Sequence, residues 1–441
     1  MVKEIDYIKS SRTEGTTDGG INREETPMKK FASLLVASTI LVAAAAPAAA
    51  DPLKAEVMHW WTSGGESAAV KVFADNFNKA GGQWIDSAIA GGETARAAEM
   101  SRVVGGNPPA AMQFNYGKQF AELVNNGYLR DLTAIAKEEN WAKIMPPAVT
   151  KAITFDGKVY AVPVNVHANN WAWISTDAFK KAGVEWPKSW DEFFPTLDKL
   201  KAAGVTPLAL GAQAWQERIL FEFILNSQGG ADTYRKVFVD HDIDTIKGPK
   251  FKAAVETMGK LRAYVDEGSA GRNWNDTTAL VISGKAGFQV MGDWSKGEFR
   301  AAGKKHGADY TCQTGIGDAG GYIYAGDVFV LPKNDSAEVA KAQDLLVKTM
   351  LSPDVQVAFN AIKGSIPVRN DVDTSKVDPC GQMGLALLKQ PEKQLPAPTF
   401  TVTPDTDGVL NDALSAFWAD KSADGSNFIQ QFADAIAADG Q

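Results

Sequence analysis

Histidine and cysteine are scarce in this chain, with four His and two Cys among 441 residues. The histidines stand apart at positions 59, 167, 241 and 306, and no HExxH pair occurs. A three-His zinc site would consume nearly all of them, so no metal is expected. Neither cysteine has the spacing of a redox or zinc motif. Basic residues are outnumbered, 45 Lys and Arg against 53 Asp and Glu, for a net charge of −8. A nucleic-acid partner needs a cationic footprint that displaces counterions, and an anionic membrane surface needs basic clusters, so neither partner is expected. A P-loop and a GxSxG elbow are also missing. Gly315–Gly320 does match GxGxxG, but Tyr322–Leu331 behind it is aromatic and β-branched. Without a following helix no N-terminus meets a pyrophosphate; the match reads as a glycine-rich turn, and no cofactor is expected. There is no internal repeat, no long low-complexity tract and no Pro- or Ser-rich linker.

What is present is ample apolar content, 45% of the chain. At roughly 100–200 residues per domain the length predicts two lobes, and the missing linker favours lobes joined by several short crossings. Met28–Ala50 reads as an export segment: Lys29 and Lys30 open it, Phe31–Ala45 is apolar, and Ala48 and Ala50 occupy the cleavage positions. A membrane anchor is the alternative for so long an uncharged run, but the small-residue tail favours cleavage and release to the periplasm. No membrane insertion of the mature chain from Asp51 is then expected. Residues 1–27 are polar without apolar period, and read as disordered or as a misassigned upstream extension. In an oxidising compartment Cys312 and Cys380 are expected to pair rather than remain two buried thiols.

Along the chain, strands at Ala55–Trp61, Gln83–Ala90 and Pro109–Phe114 alternate with helical periods at Ala69–Ala80 and Glu93–Val104. This βαβαβα order predicts a mainly parallel sheet flanked by helices. Asp156-Gly157 signals a hairpin, Ser189 with Glu192 a capping box, and Ser352-Pro353 a helix start. Further helices are expected at Trp215–Gln228, Pro249–Asp266, Val409–Trp418 and Asn427–Ala438, and strands at Ala286–Met291 and Val328–Leu331.

Twelve Trp is a high count. Either the core is Trp-rich, or some rings are platforms for a ligand. Positions favour platforms at several strand ends, where open α/β sheets bind ligands. His59-Trp60-Trp61-Thr62-Ser63-Gly64-Gly65-Glu66 closes the first strand, so Trp60 and Trp61 face opposite sides. One fits the core and the other the crevice, with Glu66 as a carboxylate acceptor for hydroxyls. Gln113 and Asn115 follow the third strand, Asn165 and His167 follow Val162-Pro163, and Trp215 and Gln216 follow another strand. Trp294 ends Met291-Gly292-Asp293-Trp294, Asp327 precedes Val328–Leu331, and Lys363 opens Lys363-Gly364-Ser365. Aromatic faces with amides, carboxylates and one ammonium suit a neutral polyhydroxylated ligand. No nucleophile–base pair is evident, though a glycosidase carboxyl pair cannot be placed from sequence and stays a rival.

The stretches HWWTSGGE, VPVNVH, SGKAGFQVMGDW and KGSIPVRND resemble the periplasmic glucose-binding proteins of ABC importers, within the family-1 extracellular solute-binding proteins that include maltose-binding protein. SWDEFFPTLDKLKAAG is similar to the maltose-binding pattern, and the resemblance runs through almost all of the mature chain. It implies a two-lobed α/β periplasmic binding fold, each lobe a mainly parallel sheet flanked by helices, with the ligand in the cleft. One lobe would be 51–164 plus 326–363 and the other 165–325 plus 364–441. It implies ligand contacts at Trp60, Trp61, Glu66, Trp294, Asp327 and Lys363, with Asn165 and His167 near the cleft. It further implies capture by lobe closure, delivery to a membrane permease, no catalysis and a monomer. A binding protein feeding a chemoreceptor is the other non-enzymatic alternative. Three positions depart from the resemblance. Asn115 replaces a Lys or His, Ala325 replaces an Asn, and no His follows His306 where one is expected near Pro396–Thr403. These departures leave another monosaccharide or a larger glycoside open as cargo.

Overall fold

Inward positions Ala55 and Val57 are fully buried, and their period of two makes Leu53–His59 a strand rather than a helix turn. In the computed structural model, which describes residues 51–439 except 376, this strand pairs in parallel with Gly82–Ala88 and with Ala111–Asn115. The export segment and the extension before it lie outside the described residues. Helices Gly64–Lys79 and Gly92–Val104 make the two crossovers. The first is capped by the Ser63 hydroxyl and buries Ala69, Val70, Phe73 and Phe77 at helical spacing. Asp156 and Gly157 both take positive φ, 48° and 75°, in the two-residue turn joining Thr154–Phe155 to Lys158–Val159. That is the geometry the hairpin signal calls for.

The expectation of mainly parallel sheets is corrected. Asp327–Val330 enters the first sheet antiparallel to Ala111–Asn115 and to Ala161–Pro163, so the five-stranded sheet is mixed. A second, four-stranded sheet holds Tyr310–Gln313, Trp171–Ser175, Ala286–Met291 and Thr206–Leu208. Only its pairing of Ala286–Met291 with Thr206–Leu208 is parallel. The crossover rule governs strands joined within one sheet by a helix. Asp327–Val330 instead follows directly from Tyr322–Ala325, a strand of a three-stranded sheet with Gln394–Pro396 and His167–Ala168. The result is a two-lobed α/β fold with mixed sheets.

Chain segments pass between these sheets side by side. Val164 N–H donates to Asp327 O at 3.0 Å, and Val166 N–H to Ile366 O at 2.8 Å. The glycine-rich stretch at 315–320 forms bends between Tyr310–Gln313 and Tyr322–Ala325, with no helix behind it. The helix expected over Trp215–Gln228 is α-helical only over Ala214–Ile224, then widens into a π-turn over Leu225–Gly229. That turn brings Asn226 to Gly321, which it clamps with two hydrogen bonds of 2.9 and 2.8 Å. Among the described residues no helix is long and apolar enough to cross a membrane.

Cys312, on Tyr310–Gln313, is bonded to Cys380, on Pro379–Leu388, across 68 positions. His306 lies with the two sulfurs within 4.8 Å, but sulfurs joined in a disulfide are not thiolate ligands. Serine at both cysteines should lower unfolding free energy in urea by about 2–5 kcal/mol. An unchanged transition midpoint and slope would show that the cross-link contributes nothing.

Candidate functional site

The aromatic residues at the strand ends converge on one cavity of about 450 Å³. Trp61 is 1% exposed and packs on Phe329 and Phe359, with centroids 5.7 and 5.3 Å away. Trp60 turns the other way, half-buried under the Arg96 guanidinium at 5.6 Å. Trp294 lies on the turn after Ala286–Met291, its ring folded over Gly292. A Cβ on Gly292 would come within 2.2 Å of that ring, so only glycine allows this placement. Around Trp294 stand His167, Trp215 and Trp274, with centroids 5.0, 6.2 and 6.5 Å away. Trp60, Trp215, Trp274 and Trp294 all line the cavity with faces left partly open.

The polar part of the cavity centres on Asp327, 3% exposed. Its carboxylate accepts from Gln113 Nε2 at 3.1 Å, Asn115 Nδ2 at 3.2 Å and Asn165 Nδ2 at 2.7 Å. His167 Nδ1 stands 3.5 Å away, and Asn165 Oδ1 accepts from Asp327 N–H at 2.8 Å. Burial works to raise the Asp327 carboxyl, but His167, the Lys363 ammonium and the Asn165 amide outweigh it and hold the group below its ordinary value. Lys363 Nζ donates to Glu66 Oε1 at 2.8 Å, and Ser63 Oγ to Glu66 Oε2 at 3.2 Å. Burial pushes the Glu66 carboxyl up, and the Lys363 charge opposes that shift. The same ammonium lies 5.4 Å from the Trp61 centroid and 5.7 Å from that of Trp294.

Nine of the twelve residues singled out in the sequence line this cavity: Trp60, Trp61, Glu66, Asn115, His167, Trp215, Trp294, Asp327 and Lys363. Gln113, Asn165 and Gln216 do not. Gln113 and Asn165 sit behind the wall and orient Asp327, and Gln113 Oε1 also accepts from the Trp60 backbone N–H at 3.1 Å. Gln216 is fully buried and donates at 2.8 Å to Gln213, which does line the cavity. Glu66 differs from the expected free acceptor. It lies in the first turn of Gly64–Lys79, where one carboxylate oxygen is already held by Lys363.

Another polar group was missed in the sequence. Arg218 and Glu222 on Ala214–Ile224, with Asp407 on Pro404–Ala419, also line the cavity. Arg218 pairs with Asp407 and stands 3.5 Å from Glu222. Burial drives the Glu222 carboxyl up to about 7, with Arg218 opposing and Asp407 reinforcing the shift. The available signal was three charges, Glu217, Arg218 and Glu222, set in a run that is otherwise apolar from Ile219 to Ile224 and buried throughout.

Comparison with known proteins places this architecture. Residues 72–379 match the family of bacterial extracellular solute-binding proteins, and the chain belongs to that family. A probable sugar-binding periplasmic protein of Mesorhizobium japonicum is 43% identical over 344 residues, 78% of this chain and 82% of the relative. One of the same description from Brucella suis is 40% identical over 365 residues, 82% of this chain and 86% of the relative. Among solved structures, a chitin oligosaccharide binding protein superposes with a TM-score of 0.75 at 17% identity, over 88% of this chain and 98% of that one. A maltose-bound MalE3 of T. maritima gives 0.71 at 20% identity, over 87% and 99%. At these identities the two structures speak for the fold.

Two outcomes follow from the charges. Lys363→Met strands the buried Glu66 carboxylate and should cost about 3–5 kcal/mol, much of it recovered when Glu66→Gln is added. Additive losses in that double-mutant cycle would show that the pair is not coupled. Glu222, whose neighbours are Arg218, Asp407, Asn169 and Tyr234, gives a pH signature. Its folded-state value is raised, so its stabilisation is full below the unfolded value of 4.5 and is lost as pH rises through about 7. Glu222→Gln removes that loss. Its melting temperature relative to the native protein should therefore rise between about pH 5 and about pH 8, and a constant difference would contradict the assignment.

Proposed function

We propose that this protein is the substrate-binding component of an ABC carbohydrate importer, capturing a sugar in the periplasm and presenting it to the membrane permease. The observation that carries this reading is the meeting, in one cavity, of partly open tryptophan faces with an ionised, amide-held carboxylate. The C–H groups on one side of a pyranose form an apolar patch that suits an aromatic face, while its hydroxyls donate to carboxylates. Relatives at 40–43% identity that are described as sugar-binding support the class of ligand. The proposed contacts are Trp60, Trp61, Glu66, Asn115, His167, Trp215, Trp294, Asp327 and Lys363, with Gln113, Asn165 and Gln216 acting from behind. Asp327 has three amide donors fixing it, an arrangement for accepting hydroxyl protons in hydrogen bonds rather than for attacking carbon.

The lobes proposed are 51–164 with 326–363 and 165–325 with 364–441. Sugar binds the first and the second rotates onto it, so the ligand shifts the population toward the closed form by its differential affinity. Export with cleavage near Ala50, a monomeric state and the absence of catalysis complete the proposal.

The test is a thermal-shift screen against mono- and disaccharides with chromatography of the incubated ligand. A sugar at 100 times its dissociation constant should add about 2.7 kcal/mol of stability without any product forming. Trp294→Ala should then weaken binding by about 2–4 kcal/mol, roughly 30- to 1,000-fold. Release of reducing ends would turn the reading to a glycosidase, and unchanged affinity in the variant would remove Trp294 from the site.

A further inference from the structure

Beside the sugar cavity lies a second chamber of about 350 Å³. The two share part of their walls, namely Glu93, Arg96, Gln119, Thr399, Asp407 and Asn411. Beyond that shared rim the second chamber changes character, and Met100, Phe114, Leu123, Val402 and Pro404 make its inner surface mainly apolar. The tryptophans and Asp327 belong to the first chamber alone.

The shared rim holds polar groups that the protein itself leaves unused. Thr399 Oγ1 and Asn411 Oδ1 are buried without a hydrogen-bond partner. The Arg96 guanidinium stacks over Trp60 at 5.6 Å and lies in the field of the Glu93, Asp407 and Glu99 carboxyl groups without a close ion pair among the described residues. The other cations of the first chamber are engaged, Lys363 by Glu66 and Arg218 by Asp407. Buried polar atoms without partners are costly and rare in a finished fold. Thr399 Oγ1 and Asn411 Oδ1 stand at the passage between two cavities, where a molecule occupying both would supply the missing partners.

We propose that the ligand has two units: a sugar ring in the first chamber, and a second group with a largely apolar surface in the second, joined by a linkage at the Arg96–Asn411 rim. The inference rests on the sugar-binding reading and names its ligand class as a substituted sugar rather than a free monosaccharide. The C–H face of a second ring and an aryl aglycone share the required chemistry.

Calorimetry separates the cases. Purified protein is titrated with a free monosaccharide, with disaccharides of that sugar and with its phenyl glycoside. The native protein should bind at least one two-unit ligand ten-fold or more tighter than the free sugar, and whichever type gains identifies the second group. Gly408→Trp and Met100→Trp fill the second chamber from two helices. A Cβ at Gly408 meets nothing within 4 Å, and a residue other than glycine favours the helix, so that position admits a side chain. Each variant should erase the two-unit advantage and leave free-sugar affinity unchanged. Equal affinity for free and substituted sugar in the native protein would overturn the inference, as would filled variants that still prefer the two-unit ligand. If free sugar binds and substitution adds nothing, only this inference fails. If no sugar of any size binds, the parent reading fails with it.

Discussion

A buried carboxylate kept charged is the constraint on which the site depends. Asp327 is 3% exposed, and burial works against its charged form. His167 and the Lys363 ammonium oppose this together with the Asn165 amide, and Gln113, Asn115 and Asn165 point their N–H groups at the carboxylate, each such bond to a charged group giving about 1.5–3 kcal/mol. These donors lie 162 to 214 positions away in sequence, so the site exists only once the fold does. Asp327 also begins the strand by which the chain leaves the three-stranded sheet for the five-stranded one. The residue that organises the acceptor thus sits at a crossing between sheets, and a change in how the sheets meet would be felt at the ligand.

Around this acceptor the protein divides its aromatic residues by neighbourhood. Trp61 fills the core beside Phe329 and Phe359, as Trp141, Trp171 and Trp173 fill it elsewhere. Trp294 keeps a face toward the cavity because its ring folds over Gly292, where any Cβ would clash, while Trp60 lies beside Gly92 under Arg96. Rings fixed in this way lose little conformational freedom when a ligand arrives, which is the advantage of a preorganised pocket. The paired charges act in the same direction. Glu66 with Lys363, and Arg218 with Asp407, are held by each other before any ligand enters.

Much of this was legible in the sequence because the signals were local. The Trp60-Trp61 step, the Asp156-Gly157 hairpin and the Ser352-Pro353 helix start depend on residues within a few positions of one another, and strand period, turn residues and a proline at the first helical position decide them. Strand direction was not legible. Whether Asp327–Val330 runs parallel or antiparallel depends on which sheet the chain has just left. The pairing of Glu66 with Lys363 spans 297 positions, and nothing in either local pattern announces it. Gln113 and Asn165 carried the right chemistry, but sequence could not separate a side chain that lines a cavity from one that stands behind its wall. Arg218 and Glu222 were not legible, because charges four apart on a helix ordinarily mark a solvated face, and the burial of Gln216–Ile224 is a tertiary fact.

The most direct test of the central claim is a crystal structure of the protein with a bound sugar. A pyranose ring is expected against the Trp294 face, with a hydroxyl within hydrogen-bond distance of the Asp327 carboxylate and no change in the bonded atoms of the ligand. A sugar found away from Trp294 and Asp327, or a cleaved glycoside in the cavity, would contradict it.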